Sequence, residues 1–167
     1  DHYLSVVRDC LEEGISVRCH LEDITRADIY GYVVPFCQEL MKLSEQYRLP
    51  IVVRACDTMG YGVNYPGAVI PRSVQGIIYA IHTHAGVPHE WIEWHGHNDF
   101  YKAVTNSTTA WLYGCSGVNT SLFGIGERTG NTPLEAMIFE YAQLKGTLNG
   151  MDTTVITELA EYYEKEI

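Results

Sequence analysis

The stretch Trp91-Ile92-Glu93-Trp94-His95-Gly96-His97-Asn98-Asp99, residues 91–99, is predicted to be a strand that ends in polar residues. Side chains two positions apart on a strand point to the same side. His95 and His97 are therefore expected on one face, with Cα atoms roughly 6.5–7 Å apart, where both imidazoles can reach one metal ion. A lone strand histidine is more often a packed core residue. Because two histidines share one face and Asp99 is available to orient an imidazole, a metal site is as well supported as a packed core position.

The rest of the chain repeats the same unit of a strand followed by a helix, roughly 35 residues long. After a helix already in progress at Asp1, the predicted strands cover 15–21, 51–58, 91–97 and 117–125, and the helices 25–47, 71–84, 99–112, 132–145 and 153–165. This alternation is typical of a parallel sheet with right-handed crossovers. The pattern leaves two architectures open, a small doubly wound sheet and part of a closed barrel.

Three helix starts carry capping signals. Thr25 with Asp28 three positions later reads as a helix start, and Asp99 is placed to cap the helix that follows the histidines. The segment Thr132-Pro133-Leu134-Glu135 combines a capping hydroxyl, a first-turn proline and an acidic third residue. Pro35 is expected to kink its helix or to mark the true first turn.

The composition indicates a globular domain, with 167 residues, 46% hydrophobic and 19% charged, and a net charge of −10 spread along the chain. This argues against disorder and against nucleic-acid or anionic-membrane partners. No apolar run approaches the ~18 residues of a membrane span, and no basic-then-apolar leader opens the chain. We therefore expect a cytoplasmic protein with no membrane partner.

Two further observations concern cysteines and the chain start. The five cysteines contain no CxxC pair and are expected to be buried thiols in a reducing compartment: Cys10, Cys19, Cys37, Cys56 and Cys115. The chain lacks an initiating Met and opens inside an amphipathic helix, so we expect it to be a piece of a longer protein.

Polar residues cluster where the predicted strands end, which is where ligand sites gather in either parallel architecture. Taken singly, each has a plain structural explanation, since a carboxylate can cap a helix and glycines often just turn the chain. The segments are Glu22-Asp23, Asp57-Thr58, His95 with His97, and the loop 124–131.

Taken together and in order, these segments resemble the metal-dependent acyl-CoA condensing enzymes, the family of isopropylmalate, homocitrate and citramalate synthases. The likeness is greatest to the Re-type citrate synthase branch. It is carried by Glu22-Asp23-Ile24-Thr25-Arg26, Asp57-Thr58, His95-Gly96-His97-Asn98-Asp99 and Gly126-Glu127-Arg128-Thr129-Gly130-Asn131. The resemblance implies an α/β fold, a (β/α)8 TIM barrel, in which residues 1–150 form the second half and residues 151–167 a C-terminal helix that follows it.

The resemblance also implies a reaction. An acyltransferase of this family condenses acetyl-CoA with a 2-oxo acid, here oxaloacetate first and the homocitrate or isopropylmalate synthase acceptors next, and hydrolyses the thioester to free CoA. A divalent metal, Mn²⁺, Mg²⁺, Zn²⁺ or Co²⁺, polarises the ketone of the acceptor. The family's first-strand Asp ligand and catalytic Arg are not in this chain, so the fragment alone is expected to be inactive.

Residue roles follow by the same resemblance. The implied metal ligands are His95, His97 and Asn131. Glu22 and Thr58 are carried over as catalytic and substrate-binding residues, and Glu127 is a weaker candidate for proton relay. Arg128 and His20 are further substrate-binding candidates; His20 stands where relatives often have Ser, which suggests a differently shaped pocket.

The partners implied are acetyl-CoA, the 2-oxo acid, the missing N-terminal half-barrel and a second copy in a homodimer. Two alternatives remain. One is an acyl-CoA lyase, aldolase or carboxyltransferase half of the same superfamily. The other is a non-catalytic metal-binding or assembly fragment, because a half-barrel exposes two sheet edges.

Strand parity yields one inference from the residues themselves. Counting back four positions from the strand-end residues Glu22, Thr58 and His97 gives three charged residues on the site face: Arg18, Arg54 and Glu93. Charges inside a barrel need partners, so Glu93 is expected to pair with Arg54 or Arg18. The alternative is a register shifted by one, with all three outside. Arg54, Arg128 or a residue of the missing half would hold the distal carboxylate of oxaloacetate.

Overall fold

The computed structural model describes residues 2–167 and contains one parallel four-stranded sheet. The strands are β1 (Val17–Leu21), β2 (Ile51–Asp57), β3 (Ile92–Gly96) and β4 (Gly117–Asn119), and they lie side by side in chain order. The predicted parallel sheet is confirmed. Asp1, where the predicted opening helix starts, lies outside the described residues.

Helices fill the connections between strands. They are α1 (His2–Glu12), α2 (Val34–Tyr47), α3 (Val74–Tyr79), α4 (Ala103–Leu112), α5 (Leu134–Lys145) and α6 (Val155–Glu166). Short turns of 3₁₀- or π-helix cover Ile24–Arg26, Ile29–Val33, Ala80–His84, His89–Trp91 and Leu122–Gly124. Pro35 lies in the first turn of α2, after the π-helical turn, so the second of its two expected roles is confirmed.

The core lies between the sheet and the helices, on the outer face of the strands. In β2 the alternate residues Ile51, Val53 and Ala55 are fully buried. They belong to one apolar cluster with helix residues such as Leu40 and Ile77. This alternation fixes the register, because a shift by one residue would turn the apolar set away from the helices.

The opposite face of the sheet carries charge. Arg18 donates from Nε and Nη2 to the two carboxylate oxygens of Glu93, each at 2.9 Å. Arg54 donates to Glu93 Oε2 from Nε at 2.9 Å and from Nη2 at 2.6 Å. The predicted pairing of Glu93 is therefore confirmed, with both arginines rather than one. Although burial alone would raise it, these hydrogen bonds lower the pKa of Glu93.

The capping prediction at Thr25 is wrong. Thr25 is buried and its hydroxyl donates to Asp57 Oδ1 at 2.8 Å. Asp28 provides the cap instead, because its carboxylate accepts from the backbone N–H of Gly31 at 2.9 Å. The π-helical turn Ile29–Val33 begins there and leads into α2.

Two other capping predictions are also wrong. α4 begins at Ala103, whose backbone N–H donates to Asn98 Oδ1 at 3.2 Å, while Asp99 pairs with Arg128. α5 begins at Leu134, and the buried Thr132 hydroxyl lies 2.9 Å from Ser107 Oγ rather than on the helix end. In both cases a tertiary partner takes the side chain.

The fourth strand is shorter than the predicted 117–125, because β4 ends at Asn119. After that residue the backbone bonds to the loop before α5 instead of to β3. Ser121 N–H donates to the carbonyl of Thr132 at 3.1 Å, and Leu134 N–H donates to the carbonyl of Ser121 at 2.9 Å. Beyond Asn119 the chain therefore leaves the sheet and is hydrogen-bonded to residues 132–134.

The cysteines are free, and four of the five are buried; Cys10 is partly exposed. The expectation of buried thiols is confirmed for the other four. None of the helices in residues 2–167 has the length and apolarity needed for a membrane span.

Candidate metal and substrate site

His95 and His97 lie side by side on the inner face of the sheet, where strand parity predicts them. Their Nε2 atoms are 3.1 Å apart, and the rings meet edge to face with centroids 4.9 Å apart. His97 is 7% exposed. Burial, with His95 and Arg128 nearby, lowers the pKa of His97, so its imidazole is neutral and able to offer a lone pair.

Asn119 orients the first imidazole. Its Oδ1 lies 2.7 Å from His95 Nδ1, and because an amide oxygen only accepts, Nδ1 carries the proton and Nε2 keeps its lone pair. From the sequence we expect Asp99 to orient the imidazole. In the structure Asn119 orients it, and Asp99 pairs with Arg128 instead. The signal available in the sequence is register, because Asn119 is the β4 residue directly opposite His95.

Asn131 reaches the same place from the glycine-rich loop. Its Nδ2 lies 3.5 Å from His97 Nε2, and the two residues form an isolated backbone bridge. Gly126 makes room for it, since a Cβ there would lie 1.8 Å from Asn131 Oδ1. The loop therefore holds an amide against the histidine pair.

These groups fit a divalent metal. Two imidazole nitrogens bound to one ion at about 2.1 Å are separated by roughly 3.0–3.4 Å, which includes the 3.1 Å between the Nε2 atoms. The other ring nitrogen of His97, Nδ1, is buried and has no hydrogen-bond partner among the described residues. No other side chain therefore fixes which of the two nitrogens of His97 carries the proton. Imidazole with amide or carboxylate oxygen suits Mn²⁺, Zn²⁺ or Co²⁺.

The other part of the candidate site consists of the Glu22 carboxylate and the Thr58 hydroxyl. Thr58 Oγ1 donates to Glu22 Oε2 at 2.8 Å and accepts from the backbone N–H of Asp23 at 2.7 Å. These contacts join the end of β1 to the end of β2. Glu22 is 60% exposed at its side chain, so the carboxylate remains accessible from the inner face.

His20 and Cys56 lie below this pair. His20 Nδ1 is 3.8 Å from Glu22 Oε1, and burial with Arg54 nearby lowers the pKa of His20. Ligand atoms of His20, Glu22 and Cys56 lie within 4.8 Å of one another. Burial, with Glu22 beside it, raises the pKa of Cys56 to about 12, so this thiol is protonated at neutral pH.

Arg128 lies at the rim, at a positive φ of 55°. It donates to both oxygens of Asp99 and, from Nη2, to the carbonyl oxygen of Thr58 at 2.6 Å. Glu127 points outward: its side chain is 80% exposed and its nearest cation is Arg128 Nη1 at 3.8 Å. Of the sequence-predicted residues, Glu127 is the one that does not lie with the others.

Known proteins match this chain along its whole length. It is 66% identical over 167 residues to citrate (Re)-synthase of Clostridium kluyveri, and 58% identical over 167 residues to citrate (Re)-synthase of Syntrophus aciditrophicus. The matches cover 100% of this chain but 37% and 27% of those relatives. The chain thus spans well under half the length of the curated relatives it matches.

The fold is also found in a solved structure, the HMG-CoA lyase from Brucella melitensis. The two superpose with a TM-score of 0.67 at 17% sequence identity, over 98% of this chain and 57% of the lyase chain. The fold is therefore part of a TIM barrel, which confirms the barrel over the doubly wound sheet. Residues 2–162 match the HMGL-like family, and with the parallel sheet and the strand-end site described above, the chain belongs to that family.

Proposed function

We propose that this chain is the second half of the catalytic barrel, residues 1–150 with a following helix at 151–167, of an enzyme that condenses acetyl-CoA with oxaloacetate. The products are citrate and free CoA. The observation that carries the proposal is that the His95–His97 pair and the Glu22–Thr58 pair lie at the carboxyl ends of three neighbouring parallel strands, β1 to β3. The likeness to two citrate (Re)-synthases supports the choice of reaction.

In this proposal His95 and His97 hold a divalent metal, and Asn131 joins them through Oδ1 once its amide is turned over, because Nδ2 is the atom that lies toward His97. The metal supplies electrophilic polarisation of the 2-oxo acid carbonyl when bound. Asn119 keeps the proton of His95 on Nδ1 and so directs the Nε2 lone pair into the site. A carboxylate from the missing half would complete the ligand set.

Glu22 and Thr58 act on the acceptor side. Asp23 N–H holds the Thr58 oxygen in place, and the hydroxyl proton, donated to Glu22 in this structure, turns to a carboxylate of the 2-oxo acid when the acceptor binds. Glu22, accessible and hydrogen-bonded, is positioned to accept a proton during enol formation or hydrolysis. Glu127 keeps the weaker role of proton relay, and His20 lines the acceptor pocket.

Charge supports a dicarboxylate acceptor. Two guanidinium groups, Arg18 and Arg54, share the single carboxylate of Glu93 beneath the site. Taken by itself, this group of three side chains carries a net charge of +1, and in the proposal the distal carboxylate of oxaloacetate lies against it. Arg54 is preferred to Arg128 for this contact, because Asp99 balances the charge of Arg128 one to one, whereas Arg54 shares Glu93 with Arg18.

The rest of the proposed enzyme lies outside this chain. An N-terminal half-barrel would cover the charged inner face and pair with the free edges of β1 and β4. We include assembly as a cytoplasmic homodimer in the proposal. Light scattering on the full-length protein measures the assembly directly.

The test is an assay of the full-length protein with divalent metal and acetyl-CoA. CoA release is measured with oxaloacetate, 2-oxoglutarate, pyruvate and 2-oxoisovalerate as separate acceptors. Release with oxaloacetate alone, with citrate as product, is the expected result. Release with another acceptor would reassign the substrate, and cleavage of a 3-hydroxyacyl-CoA without condensation would favour a lyase.

A further inference from the structure

A second group of contacts lies on the same rim, in the loops that follow β2 and β3. Tyr61 comes three residues after Thr58, and Phe100 three residues after His97. The two rings pack with centroids 5.5 Å apart and an angle of 31° between their planes. Gly60 allows the loops to meet, since a Cβ there would lie 3.0 Å from the carbonyl oxygen of His97.

Cations flank this aromatic pair on both sides. The guanidinium carbon of Arg72 lies 4.7 Å from the centre of the Tyr61 ring, and that of Arg26 lies 5.9 Å from it. On the other side, Lys102 Nζ lies 5.6 Å from the centre of the Phe100 ring. We call these five residues, Arg26, Tyr61, Arg72, Phe100 and Lys102, the rim cluster.

The charges of the rim cluster are only partly neutralised. Arg26 pairs with Asp23. Among residues 2–167, Arg72 and Lys102 form no ion pair. Arg72 Nη1 donates to the carbonyl of Thr25 at 2.6 Å, which fixes its position without cancelling its charge. In a chain of net charge −10, this is a local positive patch.

The patch is open to a ligand. Phe100 is 52% exposed. β2 and β3 are the two central strands of the sheet, so their loops lie away from the edges where further strands would pair. An exposed ring between unpaired cations suits a ligand that carries both a flat base and phosphate groups, because the base stacks and the phosphates pair with the cations.

We propose that the rim cluster binds the phosphorylated adenosine end of coenzyme A, with the pantetheine arm leading back to the histidine pair. This inference rests on the proposed function, in which acetyl-CoA is the substrate. That substrate is a pantetheine thioester attached to an adenosine bearing a 3′-phosphate and a 5′-diphosphate. Lys102 moves off the face of the Phe100 ring to bind the phosphates together with Arg72, and the adenine stacks on the face that Lys102 leaves.

The test compares acetyl-CoA with S-acetylpantetheine, which lacks the nucleotide, in the full-length enzyme. Phe100→Ala and Lys102→Ala are expected to lower kcat/KM for acetyl-CoA about tenfold, through KM, relative to kcat/KM for S-acetylpantetheine. Lys145→Ala, which removes an exposed cation in the last turn of α5, is the matched control and keeps the wild-type ratio. An unchanged ratio in both rim variants overturns the inference.

A binding measurement separates this inference from the proposed function. Adenosine 3′,5′-bisphosphate is titrated calorimetrically into the full-length protein and into Phe100→Ala. Binding that Phe100→Ala weakens, in a protein without condensing activity, supports the rim site and refutes the reaction. Condensing activity with no bisphosphate binding and no change in the substrate ratio supports the reaction and refutes the rim site.

Discussion

Arg128 donates to both carboxylate oxygens of Asp99, from Nε at 2.8 Å and from Nη2 at 3.0 Å. The same guanidinium reaches the carbonyl oxygen of Thr58. One side chain of the glycine-rich loop thereby ties together the carboxyl ends of β2 and β3. Its hydrogen bonds lower the pKa of Asp99, which keeps this carboxylate ionised at neutral pH.

This contact predicts that Arg128 positions the site. Arg128→Lys keeps the charge but loses the two-point contact with Asp99. We expect kcat of the full-length enzyme to fall about tenfold and metal affinity to weaken, because Asn131 lies on the same loop. Arg8→Lys, the same change at an exposed arginine of α1, is the control. Equal kinetics for Arg128→Lys and wild type would remove the positioning role.

The histidine pair predicts loss of metal together with loss of activity. In the full-length protein His95→Gln is expected to weaken divalent-metal affinity at least about 100-fold and to reduce turnover in parallel. His84→Gln changes an exposed histidine elsewhere and is expected to bind metal like the wild type. Metal content after dialysis against a chelator and titration with Mn²⁺ provides the measurement. Full metal occupancy in His95→Gln would contradict the site.

The Thr58 hydroxyl predicts a difference between two substitutions. Thr58→Val keeps the shape but leaves Glu22 Oε2 and the Asp23 N–H without their partner. We expect kcat/KM for the 2-oxo acid to fall about 10- to 100-fold, while Thr58→Ser stays within a few-fold of wild type. Steady-state kinetics with the acceptor varied distinguishes them. If the Ser and Val variants behave alike, the hydroxyl has no role.

The Glu93 network predicts a pH-dependent stability. Glu93→Gln is expected to lower the free energy of unfolding of the full-length protein at pH 7 by about 1–3 kcal/mol, a range reduced because Arg18 is partly exposed. Folding depresses the pKa of Glu93 below its ordinary 4.5, so its contribution is present above that pH and is lost as the pH falls through the folded value. The difference between variant and wild type should therefore shrink below about pH 4.5.

Chemical denaturation at pH 7 and at pH 3.5 measures this difference. The control is Glu39→Gln, which breaks an exposed pair with Lys42 and should cost no more than about 0.5 kcal/mol. A Glu93→Gln deficit that is equal at both pH values would show that lost packing, rather than lost charge, causes the effect.

The elements that depend on local pattern were predictable. The period-two alternation of β1 to β3 sufficed to place Arg18, Arg54 and Glu93 on one face, because a strand allows only two directions for its side chains. The same rule put His95 and His97 together. For these residues, knowledge of neighbouring strands was not needed.

The failures share a different cause. Each wrong helix cap is a polar side chain that bonds across the structure instead of to the nearby helix end: Thr25 to Asp57, Asp99 to Arg128 and Thr132 to Ser107. Asn119 was missed because its role comes from the pairing of β3 with β4. Local propensity carries no information on such partners.

The sharing of Glu93 by two arginines has a consequence for how this sheet assembles. Arg18 belongs to β1 and Arg54 to β2, whereas their common carboxylate arrives with β3. A start from the parallel unit β1–α2–β2 alone would leave two like charges on the same face of the sheet without a counterion. We therefore expect nucleation to need three strands at once, so that this half of the barrel forms in one cooperative step and not by successive strand addition.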